Sequence, residues 1–362
     1  MTRKRTRVAV IGAGIGGLSA ARALAAHDVE ISIFDKGRSV GGRVATRRVE
    51  AHSFDLGAQY FTARDARFKE LVGSWLDDGA CAPWLGRIVA VNPEDRSVQE
   101  TAPLERFVGT PGMNAIAHHL AKPFAVRSGH RVDRIERTTL GFLRLFGAIA
   151  DAGQTLAARA ENALGDALLG EFDAVLVSLP ADQSAQLLLH PSPSLAAQAR
   201  ETPLDPCFAI GVVAGDHDDA LRALPFDGAF IGRDGDLPVS PLSWIARDSS
   251  KPGRPEGEQW VLHASSAWTR ANTDLPTEEV TKMLLAELAR LFDLTALSPQ
   301  LVTTQRWAYA RALHPSDRGA SFDDDAKIGI GGDWMAGGKI EGAFISGVAL
   351  AERLLSSLGF AK

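Results

Sequence analysis

A glycine pattern near the start of the chain constrains its fold more than any other feature. The apolar run 8–11 is typical of a buried parallel strand, and Gly12, Gly14 and Gly17 follow it as Gly-x-Gly-x-x-Gly. An alanine-rich helix is predicted over 18–26. The first glycine permits a tight turn, the second lets backbone N–H groups approach a pyrophosphate, and the third lets the helix pack on the strand. The pattern predicts a dinucleotide site at the N-terminus of this helix, with a packing turn as the alternative.

An acidic residue and a second glycine turn narrow the choice of nucleotide. The apolar run 31–34 ends in Asp35, about twenty residues beyond the glycines, where a carboxylate can bind a ribose hydroxyl and repel a 2′-phosphate. Gly42 and Arg43 follow, where NAD dehydrogenases usually continue into a crossover helix. We expect Arg43 to make charge-assisted contacts with the diphosphate, which favours FAD over NAD. The segment 54–62, with amide and aromatic side chains, suits a position beside a flat ring system.

The C-terminal segment repeats the arrangement of a glycine turn that leads into a helix. Residues 328–332 read Ile-Gly-Ile-Gly-Gly and lead through Asp333 to a helix whose apolar side chains recur at helical spacing. Backbone N–H groups near Gly342 and Ala343 can stabilise the negative charge that hydride transfer places on a flavin ring. Asp333 is expected to bind the ribityl chain or a phosphate of that cofactor. A capped surface helix is the alternative.

Composition and charge argue against several other functions. The chain has 362 residues, enough for two domains, and a net charge of -5 that gives no basic surface for nucleic acid. We expect no signal peptide and no membrane span, because the apolar run after the basic start breaks at once into glycines. Two cysteines, Cys81 and Cys207, suit a reducing, cytoplasmic location. No metal site is predicted, since His118 and His119 are adjacent and not spaced as zinc ligands.

Motifs spread over nearly the whole chain are more specific together than singly. They are Ile11-Gly-Ala-Gly-Ile-Gly-Gly-Leu18, Phe34-Asp-Lys36, Gly41-Gly-Arg43, Asp55-Leu-Gly-Ala-Gln-Tyr-Phe-Thr62, Gly112-Met113, Ser243-Trp-Ile-Ala-Arg247, Ser250-Lys-Pro-Gly253, Trp260-Val-Leu-His263, Arg306-Trp-Ala-Tyr-Ala-Arg311, Gly332-Asp-Trp334 and Ile340-Glu-Gly-Ala343. In combination they resemble the bacterial renalase-like flavoproteins, a family that shares its fold with flavin amine oxidases.

The resemblance implies an α/β fold, α+β overall. It consists of a Rossmann-like FAD-binding domain with a second, antiparallel-sheet substrate domain, of the amine-oxidase and p-hydroxybenzoate-hydroxylase type. We predict a discontinuous FAD-binding domain from residues 1–62, 105–190 and 302–362, and a substrate domain from 63–104 and 191–301. The family has a strand meander between Arg131 and Val177, but here the alanine-rich stretch 156–169 favours a helix.

The resemblance also implies a set of cofactor-binding residues. They are Ile15, Asp35, Lys36, Gly42, Arg43, Ala58, Gln59, Met113, Asp333 and Ile340. The glycine turns add Gly12, Gly14, Gly17, Gly342 and Ala343. Val132 is a candidate contact of the adenine, with a core valine as the alternative. Neither cysteine lies near the C-terminal glycine turns, so we expect non-covalent FAD.

The implied activity is oxidation of dihydronicotinamide isomers, 2- or 6-dihydro-NAD(P), to NAD(P)+, with O2 reoxidising the flavin to give hydrogen peroxide. Candidate residues lining the flavin face are Gln59, Tyr60, Trp244, His263 and Trp307, and packing is the alternative for each. Hydride transfer from a dihydropyridine needs no dedicated base, whereas amine oxidation requires a neutral amine and often an aromatic cage. A flavin amine oxidase, a desaturase-type oxidoreductase and a non-catalytic flavin-binding sensor stay open.

Overall fold

Two large β-sheets organise the residues that the computed structural model describes, namely 5–150, 165–232, 240–294 and 297–360. The strands are β1 (Thr6–Ile11), β2 (Val29–Asp35), β3 (Arg47–Val49), β4 (His52–Phe54), β5 (Cys81–Pro83), β6 (Ile88–Val91), β7 (Val98–Glu100), β8 (Phe107–Gly109), β9 (Val126–Ser128), β10 (His130–Arg137), β11 (Leu143–Ile149), β12 (Ala167–Phe172), β13 (Ala174–Val177), β14 (Leu204–Val213), β15 (Gly228–Ile231), β16 (Leu242–Arg247), β17 (Gln259–Ala264), β18 (Leu301–Ala312), β19 (Ala320–Asp323) and β20 (Ile328–Gly331). The helices are α1 (Ile15–Leu24), α2 (Ala66–Asp77), α3 (Ala115–Ala121), α4 (Ala181–Leu187), α5 (Pro193–Arg200), α6 (Asp219–Arg222), α7 (Ser266–Ala271), α8 (Thr277–Leu291) and α9 (Ile340–Ser357). Among these described helices, none is both long and apolar enough to cross a membrane.

The first sheet is the predicted nucleotide-binding sheet. Its six strands run in the order β19-β20-β13-β1-β2-β9, and every pair is parallel except β19 with β20. Strand β1 lies inside the sheet, so its residues Val8, Ala9 and Val10 are fully buried, as expected for a continuous apolar run. The predicted order of strand, glycine turn, helix and strand is confirmed for β1, α1 and β2.

The second sheet is mostly antiparallel and has seven strands. Its order is β18-β14-β17-β16-β15-β6-β7, and only β15 with β6 pairs in parallel. Helix α8 covers one face, because its buried residues Val280, Leu284 and Leu288 recur at helical spacing and join the core of this sheet. The fold predicted from the resemblance, a Rossmann-like unit with an antiparallel-sheet unit, is therefore present.

The alanine-rich stretch predicted as a helix over 156–169 is only partly described. Residues 156–164 lie outside the described ranges, and residues 167–169 belong to strand β12, so for them the helix prediction is wrong. Strand β12 pairs antiparallel with β11, with Phe172 opposite Leu143, and its side chains Leu169 and Phe172 are buried. Sheet pairing and this burial outweigh the helical preference of the alanines and leucines. Strands β10, β11 and β12 form the meander that the resemblance implied.

Packing and strand pairing cross the predicted domain boundaries. Helix α2, predicted with the substrate domain, buries Phe68 and Trp75 in the core that also contains Val8 of the nucleotide-binding sheet and Leu18 of helix α1. Strand β18, predicted with the FAD-binding domain, pairs with β14 in the seven-stranded sheet. The division into two domains stays a prediction.

Candidate active site

The first glycine turn forms an open cradle at the start of helix α1. A Cβ on Gly17 would lie 1.9 Å from the carbonyl oxygen of Gly12, so the third glycine permits the close contact of turn and helix. A Cβ on Gly14, in contrast, would meet no atom within 4 Å. The turn Gly42–Val44 lies beside it, since a Cβ on Gly42 would be 3.9 Å from the Cα of Gly14. Open space next to a helix N-terminus is what a diphosphate requires.

Asp35 ends strand β2 beside this cradle. Its two carboxylate oxygens accept hydrogen bonds from the backbone N–H groups of Ala13, at 2.7 Å, and Gly37, at 2.6 Å. These bonds fix the acidic side chain against the glycine turn, where each oxygen retains acceptor capacity for a hydroxyl group. Lys36, the next residue, is exposed.

The two helices that follow the glycine turns cross each other through glycines. A Cβ on Gly347 of α9 would lie 2.1 Å from the carbonyl oxygen of Gly16 in α1. A Cβ on Gly16 would lie 3.2 Å from the carbonyl oxygen of Ala343. Because Gly16 and Ala343 both lie in the first turn of their helices, the two positive helix ends are adjacent.

We expect Gly347→Ala to lower the free energy of unfolding by about 1–3 kcal/mol, because the new methyl group overlaps a backbone oxygen that only helix movement can relieve. The matched control is Gly73→Ala in α2, where a Cβ meets nothing within 4 Å. That change should raise stability by about 0.5–1 kcal/mol through helix propensity. Urea unfolding of both variants measures the difference, and equal stabilities would contradict the close crossing.

Arg43 and Asp333 form an ion pair between the two glycine turns. Arg43 Nη1 donates to Asp333 Oδ2 at 3.0 Å, and Nη2 donates to Oδ1 at 2.5 Å, a bidentate geometry. Arg43 Nη1 also donates to the carbonyl oxygen of Ala310 at 3.1 Å. The carboxylate is nearly buried, with 8% of the side chain exposed, whereas the guanidinium is 30% exposed. Two residues predicted separately as cofactor ligands therefore meet.

Asp55, directly after strand β4, forms a buried cluster with three charged side chains that follow strand β16, namely Asp248, Lys251 and Arg254, and each of the four is at most 1% exposed. Lys251 Nζ donates to Asp248 Oδ1 at 2.6 Å and lies 3.7 Å from Asp55 Oδ2. Arg254 Nη2 donates to the same Asp55 oxygen, and Arg254 Nη1 donates to the carbonyl oxygen of Gly109 at 2.6 Å. We call this set the ion-pair cluster; it joins three segments that are distant in sequence.

Asp55 is the centre of the ion-pair cluster. Burial by itself would raise the pKa of its carboxyl, but Lys251 and Arg254 together hold that pKa below the usual value. The backbone N–H of Met113, at 2.9 Å, and the Thr46 hydroxyl, at 2.7 Å, donate to Asp55 Oδ1 and act in the same direction. Asp55 is therefore ionised at neutral pH and binds both cations.

The ion-pair cluster also orients Gln59. Lys251 Nζ donates to Gln59 Oε1 at 3.1 Å, while Gln59 Nε2 donates to the carbonyl oxygens of Asp55 and Gly57. The amide of Gln59 is thus used by protein groups, and the residue is 7% exposed. Gln59 therefore contacts the ion-pair cluster, and its Nε2 also lies 3.5 Å from Nε2 of His263, one of the residues with which it was predicted.

His263 and Trp307 meet at the carbonyl oxygen of Leu56. His263 Nε2 lies 3.1 Å from this oxygen, and Trp307 Nε1 donates to it at 2.9 Å. Burial, reinforced by the charge of Lys251, lowers the pKa of His263 to about 4, although the hydrogen bond to Leu56 works in the opposite direction. His263 is therefore a neutral hydrogen-bond donor at pH 7.

This low pKa predicts a pH dependence of stability. The unfolded chain binds the proton of His263 near pH 6.5 and the folded chain near pH 4, so the stabilising contribution is complete above pH 6.5 and is lost as pH falls to 4. The full shift corresponds to about 3 kcal/mol, and partial exposure of the ring reduces the expected loss to about 2 kcal/mol. His263→Gln, which does not titrate, should lose that much less stability between pH 7 and pH 4. Parallel losses in urea unfolding would count against a neutral, buried His263.

Four aromatic side chains form the rest of the site, which we call the aromatic group: Tyr60, Trp84, Phe230 and Trp244. The Tyr60 ring centroid lies 6.1 Å from that of Trp84 and 5.8 Å from that of Trp244. The Trp244 ring lies 4.6 Å from Phe230, edge to face. Tyr60 and Trp244, both predicted to line the flavin face, are thus in contact with each other. The aromatic group and the ion-pair cluster both lie around segment 55–60, which follows the glycine turn at Gly42.

The remaining predicted residues fall into two groups. Those at the glycine turns are Gly12, Ile15, Ala58, Ile340 and Gly342; Ile15 and Ile340 begin α1 and α9, and the backbone N–H of Ala58 donates to the Arg43 carbonyl oxygen at 3.0 Å. Met113 and Val132 lie away from the glycine turns in sequence, and both belong to hydrophobic cores, as Ile15 also does. Met113 is completely buried, and Val132 packs in the cluster that contains Ile11 and Phe34.

Several residues of this site had no role in the sequence analysis. Lys251 was quoted only as part of a motif, and Asp248, Arg254, Arg106 and Trp84 were not singled out. Their partners are distant in sequence, so local periodicity gives no signal for them. The charged Asp55 between the apolar residues Phe54 and Leu56 is the one local sign that a buried counter-charge is required.

Family models match most of the chain. The model described as flavin containing amine oxidoreductase matches residues 84–355, and that of an NAD(P)-binding Rossmann-like domain matches residues 10–75. Among solved structures, cyclohexylamine oxidase from Brevibacterium oxydans IH-35A has a TM-score of 0.72 at 11% identity, covering 98% of this chain and 100% of that chain. At that identity the likeness shows the fold alone.

Curated relatives match only a short segment. Prenylcysteine oxidase 1 of Bos taurus is 44% identical over 69 residues, which is 18% of this chain and 13% of the relative. A 4,4'-diapophytoene desaturase of Staphylococcus aureus (strain Newman) is 43% identical over 51 residues, 14% of this chain and 10% of the relative. This chain therefore spans a small part of the length of either protein.

Proposed function

The chain belongs to the flavin-containing amine oxidoreductase family, and on that premise we propose that it is an FAD-dependent oxidase of dihydronicotinamide isomers. The proposed substrates are 2- and 6-dihydro-NAD(P), and the oxidant is O2. One dihydro-NAD, one O2 and one proton give one NAD+ and one hydrogen peroxide, so the two electrons lost by the substrate are gained by O2. The observation that carries the proposal is the meeting of two glycine-lined helix starts beside the Arg43–Asp333 pair.

Family membership implies a flavin, and the residues of this site fit FAD. The open cradle at Gly14 would offer backbone N–H groups to the diphosphate, the adjacent start of α9 would offer them to the flavin ring, and Arg43 adds a cation. Asp35 would hold the adenosine ribose. We propose that binding is non-covalent, since neither Cys81 nor Cys207 lies near the C-terminal glycine turn in sequence. When bound, the flavin supplies the two-electron acceptor.

The titratable groups near Gln59 favour hydride transfer over a reaction that needs a base. Lys251 is bound to Asp248, Asp55 is bound to Arg254, and neutral His263 interacts with a backbone oxygen. Oxidation of a dihydropyridine yields an aromatic cation without removal of a proton from nitrogen. The protein then has only to position the ring, a task for which the aromatic group is suited.

Amine oxidation is the second candidate function, and the aromatic group is the observation that favours it. Tyr60, Trp84 and Trp244 can pack around the alkyl part of an amine, as in other aromatic cages. The similar fold of cyclohexylamine oxidase agrees with this alternative. A desaturase-type reaction is a related possibility raised by the relative from Staphylococcus aureus, and a non-catalytic flavin sensor is the third.

Anaerobic stopped-flow mixing separates these functions. We expect 6-dihydro-NAD to bleach the flavin absorbance of the purified protein, and cyclohexylamine or putrescine to leave it unchanged. On admission of O2, peroxide should form in a one-to-one ratio with NAD+. Rapid bleaching by an amine and none by 6-dihydro-NAD would replace the proposed function with amine oxidation. Absence of peroxide with every substrate would favour the sensor.

A further inference from the structure

We propose that Arg106, together with the indole N–H of Trp244, binds an oxyanion of the substrate, a phosphate or a carboxylate, beside the Tyr60 ring. This inference deepens the proposed function and rests on it, because it assigns the substrate to the negatively charged class. It assigns a binding role to Arg106, which the sequence motifs did not single out.

The backbone places Arg106 and Tyr60 on one face. Phe61 and Phe107 exchange two backbone hydrogen bonds, at 2.8 and 2.9 Å, and their rings stack on the core side with centroids 5.7 Å apart. Successive side chains of extended segments point to opposite faces, so the preceding residues Tyr60 and Arg106 share the face opposite the Phe61 and Phe107 rings, where Tyr60 packs beside Trp84 and Trp244. The Arg106 Cζ lies 5.2 Å from the centroid of the Tyr60 ring. The guanidinium thus lies on the aromatic group.

Arg106 is buried without the partners that a buried cation requires. It is 8% exposed, and its one hydrogen bond from the side chain runs from Nη1 to the Leu104 carbonyl oxygen at 3.2 Å. Within the described residues, Arg106 Nε has no hydrogen-bond partner and no carboxylate forms an ion pair with the guanidinium. Other buried cations of this region, Lys251 and Arg254, are neutralised by Asp248 and Asp55. Burial of an unpaired charge is energetically unfavourable, so an anion bound at this position would offset the desolvation of the Arg106 guanidinium.

A second unsatisfied donor lies against the same ring. Trp244 is 6% exposed, and its Nε1 has no partner among the residues that the structure describes. The neighbouring Trp84 shows the contrast, because its Nε1 donates to Ser250 Oγ at 3.0 Å. Both unsatisfied groups are donors, so the missing partner is an acceptor. An oxyanion beside a flat aromatic surface satisfies both requirements at once.

The charge at this position also discriminates between substrate classes. A dihydronicotinamide dinucleotide carries phosphates, whereas an amine approaches as an ammonium ion or as its neutral form. Arg106 attracts the first and repels the ammonium ion, and the low polarity around the aromatic group strengthens both effects.

Two matched pairs of probes test this role by calorimetric titration of the flavin-loaded protein. Benzoate and benzamide have the same ring and differ in charge. Nicotinamide mononucleotide and nicotinamide riboside differ by one phosphate. We expect Arg106→Gln to weaken binding of the preferred anion by about tenfold to a hundredfold and to change binding of its counterpart without the oxyanion less than about threefold. Arg106→Lys should restore part of the loss, and Trp244→Phe should weaken the anion by about threefold to tenfold.

If Arg106→Gln weakens benzoate binding more than benzamide binding, the bound oxyanion is a carboxylate. If it weakens binding of the mononucleotide more than that of the riboside, the oxyanion is a phosphate. If Arg106→Gln does not fold stably, the same probes are compared on Trp244→Phe, which removes the indole N–H but keeps an aromatic side chain. Equal losses for the probes with and without the oxyanion, or no preference of the wild-type protein for either anion, would overturn the inference. Stopped-flow reduction of the wild-type protein by 6-dihydro-NAD is measured separately, so failure of the proposed function is distinguishable from failure of the Arg106 assignment.

Discussion

Lys251→Met is expected to lower the free energy of unfolding by about 3–5 kcal/mol. The substitution leaves the length of the side chain similar but removes the cation that neutralises Asp248 and Asp55 in a region with no solvent access. Asp248 is the more affected partner, because burial already raises its pKa and Lys251 is the main group opposing that rise. The variant should also release the Gln59 amide, whose Oε1 binds Lys251.

The control for this prediction is an exposed ion pair. Arg67 lies 3.8 Å from Glu352 with about half of each side chain exposed, and Arg67→Met should cost about 1 kcal/mol or less. The double variant Lys251→Met with Asp248→Asn should recover part of the stability that Lys251→Met alone loses, since it buries one uncompensated charge fewer than the single variant. Chemical unfolding of the four proteins gives the comparison. Equal costs for Lys251→Met and Arg67→Met would show that the cluster is not the buried, coupled unit described above.

Gly14→Val is expected to weaken FAD binding at least about a hundredfold, while the flavin-free chain stays folded. Gly14 precedes α1 with φ -76° and ψ 179°, an extended conformation that valine adopts without strain. Because a Cβ there meets no atom within 4 Å, the side chain occupies only the space through which a diphosphate would approach. In the flavin-free protein, the substitution should lower the free energy of unfolding by about 1 kcal/mol or less, because valine is a poorer N-cap residue than glycine.

Gly73→Val is the matched control for this substitution, since a Cβ at that position in α2 also meets nothing within 4 Å. It should leave FAD affinity unchanged. Fluorescence titration of the stripped proteins with FAD measures both affinities, and circular dichroism checks that each chain is folded. Retention of wild-type affinity by Gly14→Val would mean that the diphosphate does not lie at this turn.

The parts of the fold that local sequence pattern could predict are those governed by local geometry. Gly17 needs the absence of a Cβ for its contact with the Gly12 carbonyl oxygen within one turn, and Gly12 has a positive φ of 104°, so the pattern alone indicated the structure. Strand β2, which ends in Asp35, was predicted from the same pattern of strand, glycine turn, helix and strand. The helix predicted over 156–169 failed where it could be checked, because β12 is decided by pairing with β11 and not by intrinsic preference.

The candidate site was less accessible to sequence reasoning. Tyr60 and Trp244 were expected on one surface and are in contact, but Gln59 faces the ion-pair cluster because Lys251, far along the chain, binds its amide. Arg106 also depends on a partner that is distant in sequence, the Tyr60 ring. Contacts of this kind are set by how the two sheets are assembled, and no short-range periodicity reports them.

The most direct test of the account is the cofactor content of the purified chain. We predict a yellow protein with a flavin absorbance spectrum and one FAD per chain, released by denaturation without proteolysis. After stripping, FAD should restore the spectrum, whereas FMN, which lacks the adenosine half that the cradle and Asp35 would hold, should bind far more weakly. A colourless protein that cannot be reconstituted with FAD would contradict the account.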